Sequence, residues 1–293
     1  GDHRDLHRLI RRQRQMCIRD RRQTTQMTLK ENVNPLPSIE RASRPNANLA
    51  RLRFLWLKLV LRTNVYHTQL GHLKAKFEVE NPADIILADY MMGERNLLRW
   101  TCSQMRKGDV IWDIGANVGH WAIFLGLSVG ANGAVIAFEP YDKAAHRLHR
   151  NIRINGLDNV TVANLAISDT SGVVKLLVGE HSSYRRSSLF GSNADKKRLL
   201  VEQSSVDALV SSGRYPHPNA IKVDVEGAEH MVLRGMQRTM CDARLRIIVC
   251  EIHPAVLSQQ GVAMDEVVGL LVDKGFECFQ IPRGKEIHVV AYR

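Results

Sequence analysis

The 293-residue sequence predicts an α/β fold: a doubly wound, Rossmann-like sheet, mostly parallel, ending in a C-terminal antiparallel hairpin. Three observations predict it. Short apolar runs, VIWDI at 110–114, AVIAF at 134–138, VTVANLAI at 160–167, IKVDV at 221–225 and RIIVCEI at 246–252, alternate with helical stretches. Strands buried on both faces of a parallel sheet read as unbroken apolar runs of this kind. The first run stops at a turn bracketed by Gly115 and Gly119, and a helical stretch follows from His120. Finally, FECFQI and EIHVVAY flank Arg283 and Gly284 as a closing hairpin.

Taken in order, residues 1–50 are polar, basic and aperiodic, a composition that buries too little apolar surface to order itself. They are expected to be a disordered tail. The run MCIRDR at Met16–Arg21 also resembles a translated sequencing adapter, so part of the tail is expected not to be natural protein. Residues 51–106 are expected to form a helix and strand extension, and residues 107–293 the main domain. In the extension, LRFLWLKLVL at 52–61 predicts a helix capping the core, with a membrane-surface helix as the second reading because Trp56 sits among leucines. LKAKFEVE and DIILAD predict a strand pair turning at Asn81 and Pro82, and Tyr90–Met105 predicts a helix.

Within the main domain, Pro140 starts a helix through Asn155 that Gly156 caps. Val173–Val178 and Leu199–Gln203 predict added strands, and the basic, Ser-rich segment Gly179–Arg198 between them a mobile loop. Ser205–Val210, Ala228 to about Met240 and Met264–Lys274 predict helices.

The net charge of +11 invites a nucleic-acid reading, but residues 1–50 hold 11 Lys and Arg against 5 Asp and Glu, leaving the other 243 residues a surplus of only 5. With no nucleic-acid-binding motif either, no nucleic-acid partner is expected. Five cysteines without a C-x-x-C pair fit a reducing compartment. No apolar run approaches the ~20 residues of a transmembrane helix and no signal-peptide core is present, so the expected location is cytoplasmic. Nothing fixes an oligomeric state.

The turn after the first strand carries the chemistry. Glycines let backbone approach a ligand, and free N–H groups at a helix start attract polar groups. Glu139, ending the second strand 20 residues past Gly119, is placed to accept hydrogen bonds from ribose hydroxyls. The geometry would also serve a dinucleotide, but the glycines are spaced G-x-x-x-G rather than G-x-G-x-x-G, and no Gly-Lys-Ser/Thr of a P-loop follows. D-x-G-x-N-x-G is similar to the turn of methyltransferases that use S-adenosyl-L-methionine.

VIWDIGANVG (110–119), AFEP (137–140), NLAISDTSG (164–172), SVDALV (205–210), IKVDVEGAEHMVLRG (221–235) and VCEIHP (249–254) together resemble the FkbM family of class I S-adenosylmethionine-dependent methyltransferases, over roughly residues 75–292. The resemblance implies S-adenosyl-L-methionine as cofactor and O-methylation of a hydroxyl on a small molecule, sugar or lipid-like acceptor. Asp113, Gly115, Asn117 and Gly119 would hold the methionine end, Glu139 the ribose, and Asn164 and Ala166 the adenine.

Strand ends also supply Asp224, Glu226, Glu251 and His253. His253 has the intrinsic pKa best matched to a general base, ~6.5 against ~4 for a carboxylate. Asp224 and Glu226 can orient it, accept the proton themselves or hold a cation. With Glu251 they would make an oxygen-rich set suited to Mg²⁺, though the expected site holds no metal. Glu229 reads as helix-start electrostatics. The alternatives are a nucleotide-dependent oxidoreductase and a cofactor-binding protein without turnover.

Overall fold

The computed structural model describes residues 46–90, 93–179, 187–188 and 196–293. The tail expected over 1–50 therefore lies outside the described residues up to 45, and the polar segment Gly179–Arg198 lies outside them at 180–186 and 189–195.

The elements run α1 (Ala47–Leu59), β1 (Val65–Leu70), β2 (Leu73–Glu78), α2 (Pro82–Tyr90), α3 (Arg95–Gln104), β3 (Val110–Ile114), α4 (His120–Val129), β4 (Ala134–Phe138), α5 (Asp142–Asn155), β5 (Val160–Ala163), β6 (Ala166–Ile167), β7 (Gly172–Gly179) and β8 (Ser187–Ser188). There follow β9 (Lys196–Ser204), α6 (Val206–Ser211), β10 (Ala220–Val223), α7 (Glu229–Arg234), β11 (Ile247–Ile252), α8 (Pro254–Gln259), α9 (Met264–Val272), β12 (Glu277–Arg283) and β13 (Glu286–Tyr292).

Seven strands form the main sheet in the order β12-β13-β11-β10-β3-β4-β5. Its centre, β11-β10-β3-β4-β5, is parallel, and β13 pairs antiparallel with both β11 and β12. The apolar runs are buried as a parallel sheet requires: Trp112, Phe138, Ile221 and Ile248 lie in one core with Val232, Leu257 and Leu271 from the helices. The strand order reverses between β3 and β10, and the carboxyl ends there flank a crevice. No described helix is long and apolar enough to cross a membrane.

Several expectations are corrected. DIILAD is helix α2, not a strand: Pro82 starts it, and Asp84 accepts the N–H groups of Glu80 and Asn81, capping its first turn. The strand that pairs with β2 is instead β1, just upstream. A short apolar run has no decisive period, so its cap settled the matter. VTVANLAI divides, β5 staying in the main sheet while β6 pairs with β9 in a smaller four-stranded sheet. The helix expected to reach Met240 ends at Arg234, and Gly235 follows it where a side chain would sit 2.1 Å from the Ser168 carbonyl oxygen. The helix expected from Tyr90 begins at Arg95, and α8, started by Pro254, was not expected.

Candidate active site

β3 and β10 diverge around Gly115. Its φ is +82°, and a Cβ there would lie 1.8 Å from the Asp224 carbonyl oxygen, so only glycine allows the two strand ends so close. The N–H groups of Gly115 and Ala116 both donate to the Phe138 carbonyl, and that of Asn117 donates to Glu139 Oε2 at 2.8 Å. The turn is thus tied to the end of β4. Glu139 also accepts the Tyr141 N–H at 2.9 Å. Burial pushes its carboxyl up to about 7, against the pull of those two donors.

Two clefts open on this edge. The first, about 600 Å³, is lined by Gly115, Asn117, Glu139 and Ala166 with apolar walls from Phe138, Leu165 and Leu176. The second, about 1140 Å³, is lined by Trp121, Lys222, Glu251, His253 and Arg283 among others. Gly115, Asn117, Asp224 and Glu226 line both, so the clefts adjoin at the ends of β3 and β10.

Three residues expected to touch the cofactor line neither cleft. Asp113 is wholly buried beneath the turn, 3.6 Å from Lys222 Nζ. Gly119 instead makes room for α5, since a Cβ there would meet Leu148 Cδ1 at 2.1 Å. The Asn164 amide donates to Asp142 Oδ1 at 2.7 Å on the exposed side.

Lys222 is the centre of the charge network. Its Nζ donates to Asp224 Oδ2 at 3.2 Å and to the Gly115 carbonyl at 3.3 Å, with Asp113 behind. Burial alone would lower its pKa, but Asp224, Asp113, Glu94 and Glu251 outweigh it and keep the ammonium charged. Burial raises the Asp113 pKa, with Lys222 opposing.

At the second cleft, His253 Nδ1 donates to Glu229 Oε1 at 2.8 Å, and Nε2 lies 3.5 Å from Glu226 Oε2. Burial opposes the imidazolium, but Glu229, then Asp224 and Glu226, push its pKa up to about 9. Ligand atoms of Asp224, Glu226 and His253 all lie within 4.8 Å of one another, a set able to hold a cation. Glu251 is not part of it. It sits with Glu94, His288 and Arg283, where Arg283 donates to Glu251 Oε1 at 3.1 Å and to Glu94 Oε1 at 3.2 Å. Burial and the Asp224 and Glu94 charges push the Glu251 carboxyl up to about 10, while His288, Lys222 and Arg283 hold Glu94 ionised despite its burial. Glu94 Oε2 also accepts the Trp121 indole N–H at 2.8 Å.

The Methyltransferase FkbM domain matches residues 113–278, more than half the chain. This chain belongs to the FkbM methyltransferase family. It is a methyltransferase, and the match takes in the whole lining of the first cleft and most of the second, whose Leu87, Glu94, Arg283 and Glu286 lie outside it. Hexuronic acid methyltransferase AglP of Haloferax volcanii is 30% identical over 214 residues, covering 71% of this chain and 83% of that protein. The 31-O-demethyl-FK506 methyltransferase FkbM of Streptomyces tacrolimicus is 30% identical over 229 residues, covering 65% and 82%. Among solved structures, methyltransferase FkbM from Methylobacillus flagellatus is similar at 16% identity and a TM-score of 0.45, over 72% of this chain and 60% of that one, so the chain spans less than two thirds of that neighbour.

Two site residues were missed by sequence reasoning. Glu229 was read as helix electrostatics, yet it, and not Asp224, holds the His253 ring. Glu94, 157 positions before Glu251, gave no signal at all. Lys222 did give one: a lysine inside the apolar run IKVDV has to be paired.

Proposed function

We propose that this enzyme takes the methyl group of S-adenosyl-L-methionine bound in the first cleft and places it on a hydroxyl of a sugar-like or lipid-like small molecule in the second. The observation that carries this reading is the meeting of the two clefts at Gly115, Asn117, Asp224 and Glu226. The first cleft suits an adenosyl cofactor. Asn117 Oδ1 is buried without a hydrogen-bond partner, Glu139 keeps a free lone pair on each oxygen, and Phe138, Leu165 and Leu176 offer an apolar surface for a base.

When bound, the cofactor supplies an electrophilic methyl group on a positively charged sulfur. Asn117 and Glu139 would hold it from the turn and the end of β4. Arg283, Glu251 and Glu286 give the second cleft donors and acceptors for a hydroxyl-rich acceptor. Asp224 and Glu226 lie at the junction and would position the acceptor hydroxyl, and His253 Nε2 would take its proton as the methyl passes from sulfur to oxygen. Two relatives support a small-molecule acceptor, being named for a hexuronic acid and for 31-O-demethyl-FK506. A nucleotide-dependent oxidoreductase, or a binding protein without turnover, finds no support from this family.

The test is a screen of hydroxylated small molecules, sugars and lipid precursors with labelled cofactor, with and without EDTA. On a substrate so found, His253→Ala and Asp224→Asn should retain cofactor binding by calorimetry and lose ~10²- to 10⁴-fold in rate. Loss of cofactor binding in both variants, or full activity in both, overturns the assignment. EDTA sensitivity would move Asp224, Glu226 and His253 into the role of cation ligands.

A further inference from the structure

Helix α1 has two apolar faces, and it packs only one of them. Ala50, Phe54 and Leu57, at i, i+4 and i+7, pack against Val79 and Ile85. On the opposite side Leu52, Leu55, Trp56 and Leu59, at i, i+3, i+4 and i+7, are 64%, 51%, 54% and 73% exposed. Leu49 and Val60 widen this exposed face. The expectation of a helix that simply caps the core does not explain it, because a capping helix has no use for four solvated side chains of this size in one stripe.

The charge around the stripe points to its occupant. Between Ala47 and Arg62 there are four cations, Arg51, Arg53, Lys58 and Arg62, and no Asp or Glu. Arg53 is turned to Asp89 of α2 at 2.7 Å. Arg51 and Lys58, seven residues apart, border the apolar stripe on one side. Leucines below, a tryptophan at the margin and basic residues along the edge make a helix that lies in the interface of an anionic bilayer. A protein groove would be expected to meet a stripe this basic with acidic partners, and a second copy of this helix would bring like charges together.

We propose that α1 docks the enzyme on the surface of a membrane containing anionic lipid, its Leu52–Leu55–Trp56–Leu59 stripe in the headgroup region and Arg51 and Lys58 on lipid phosphates.

The experiment is co-sedimentation of the full chain with vesicles of phosphatidylcholine alone and of phosphatidylcholine with phosphatidylglycerol, which reads the surface without reference to methyl transfer. Binding is expected on the anionic vesicles and much less on the neutral ones. Arg51→Gln and Lys58→Gln should each lower the partition coefficient about fivefold. Replacing Leu52, Leu55, Trp56 and Leu59 together by Gln should abolish binding while the melting temperature and cofactor affinity stay those of the parent, since these side chains touch neither cleft. Equal partition onto both vesicle types, or undiminished binding by the quadruple variant, overturns the proposal. So does a solution dimer that the quadruple variant dissociates while the parent ignores vesicles, which would assign the stripe to a second copy.

Discussion

Glu229 and His253 are joined by a 2.8 Å hydrogen bond from the imidazole Nδ1 to a carboxylate with no solvent exposure. The two residues begin different helices, after different strands, and the bond fixes which ring nitrogen faces the second cleft. A buried carboxylate behind a histidine both orients the ring and stabilises its protonated form.

That relationship sets the pH dependence of the reaction. With a pKa of about 9, His253 is mostly imidazolium at neutral pH and cannot take a proton from the acceptor. Methyl transfer is therefore expected to rise with pH, tenfold per unit below the pKa, and to level near pH 9. A rate flat from pH 6 to 9 would assign the proton to Asp224 or Glu226 instead. Glu229→Gln should move the rise to lower pH and cut the limiting rate by about tenfold or more, with cofactor affinity unchanged.

The same shift is a stability statement. The folded pKa of His253 lies above the ~6.5 of an unfolded histidine, so its contribution is fully present below pH ~6.5 and disappears as pH rises through 9. Thermal melts across this window should show a fall in the parent that is smaller in His253→Gln.

Glu139 offers a test of the cofactor cleft. Its carboxyl, pushed up to about 7 by burial, is partly protonated at neutral pH, whereas ribose hydroxyls donate to the ionised form. Cofactor binding near pH 7 should release a fraction of a proton, seen as a calorimetric enthalpy that changes with the buffer's ionisation heat. Glu139→Gln should abolish that release and weaken binding by tenfold or more, each hydrogen bond to a charged group contributing ~1.5 to 3 kcal/mol. The same variant keeps only one acceptor oxygen for the Asn117 and Tyr141 N–H groups, so its melting temperature should fall below that of the parent.

Lys222→Met should be among the most destabilising changes in the chain. It leaves the buried Asp113 beside Asp224 without their cation, and breaking a buried pair typically costs ~3 to 5 kcal/mol. Denaturant unfolding of the double variant Lys222→Met/Asp113→Asn should recover part of that loss. No recovery would mean that Asp113 is not held by Lys222.

Gly115→Ala should cost at least ~2 kcal/mol and impair both clefts, since its Cβ would collide with the Asp224 carbonyl and force β3 and β10 apart. Gly156→Ala is the control. That glycine is also left-handed, at φ +63°, but nothing lies within 4 Å of a Cβ there, so the loss should be ~1 kcal/mol and the activity that of the parent.

The sequence by itself determined the strands of the parallel sheet, because burial on both faces leaves an unbroken apolar run, as in VIWDI and RIIVCEI. It determined the glycine turn and the carboxylate at the end of the second strand, because both features are local. It also placed Asp224, Glu226 and His253 on one sheet edge, because strand ends of a parallel sheet share an edge. Only the tertiary structure decided what those residues touch. Whether Glu229 serves its own helix or His253 depends on the packing of α7 against the end of β11. Whether Asp113 meets a ligand or Lys222 depends on which face of the β3 end is covered. That Glu94 joins Glu251, Arg283 and His288 depends on three segments far apart in sequence, a dependence no local pattern carries. The second apolar face of α1 shows the same limit from outside: the sequence makes the helix apolar, and only the fold decides which side it buries.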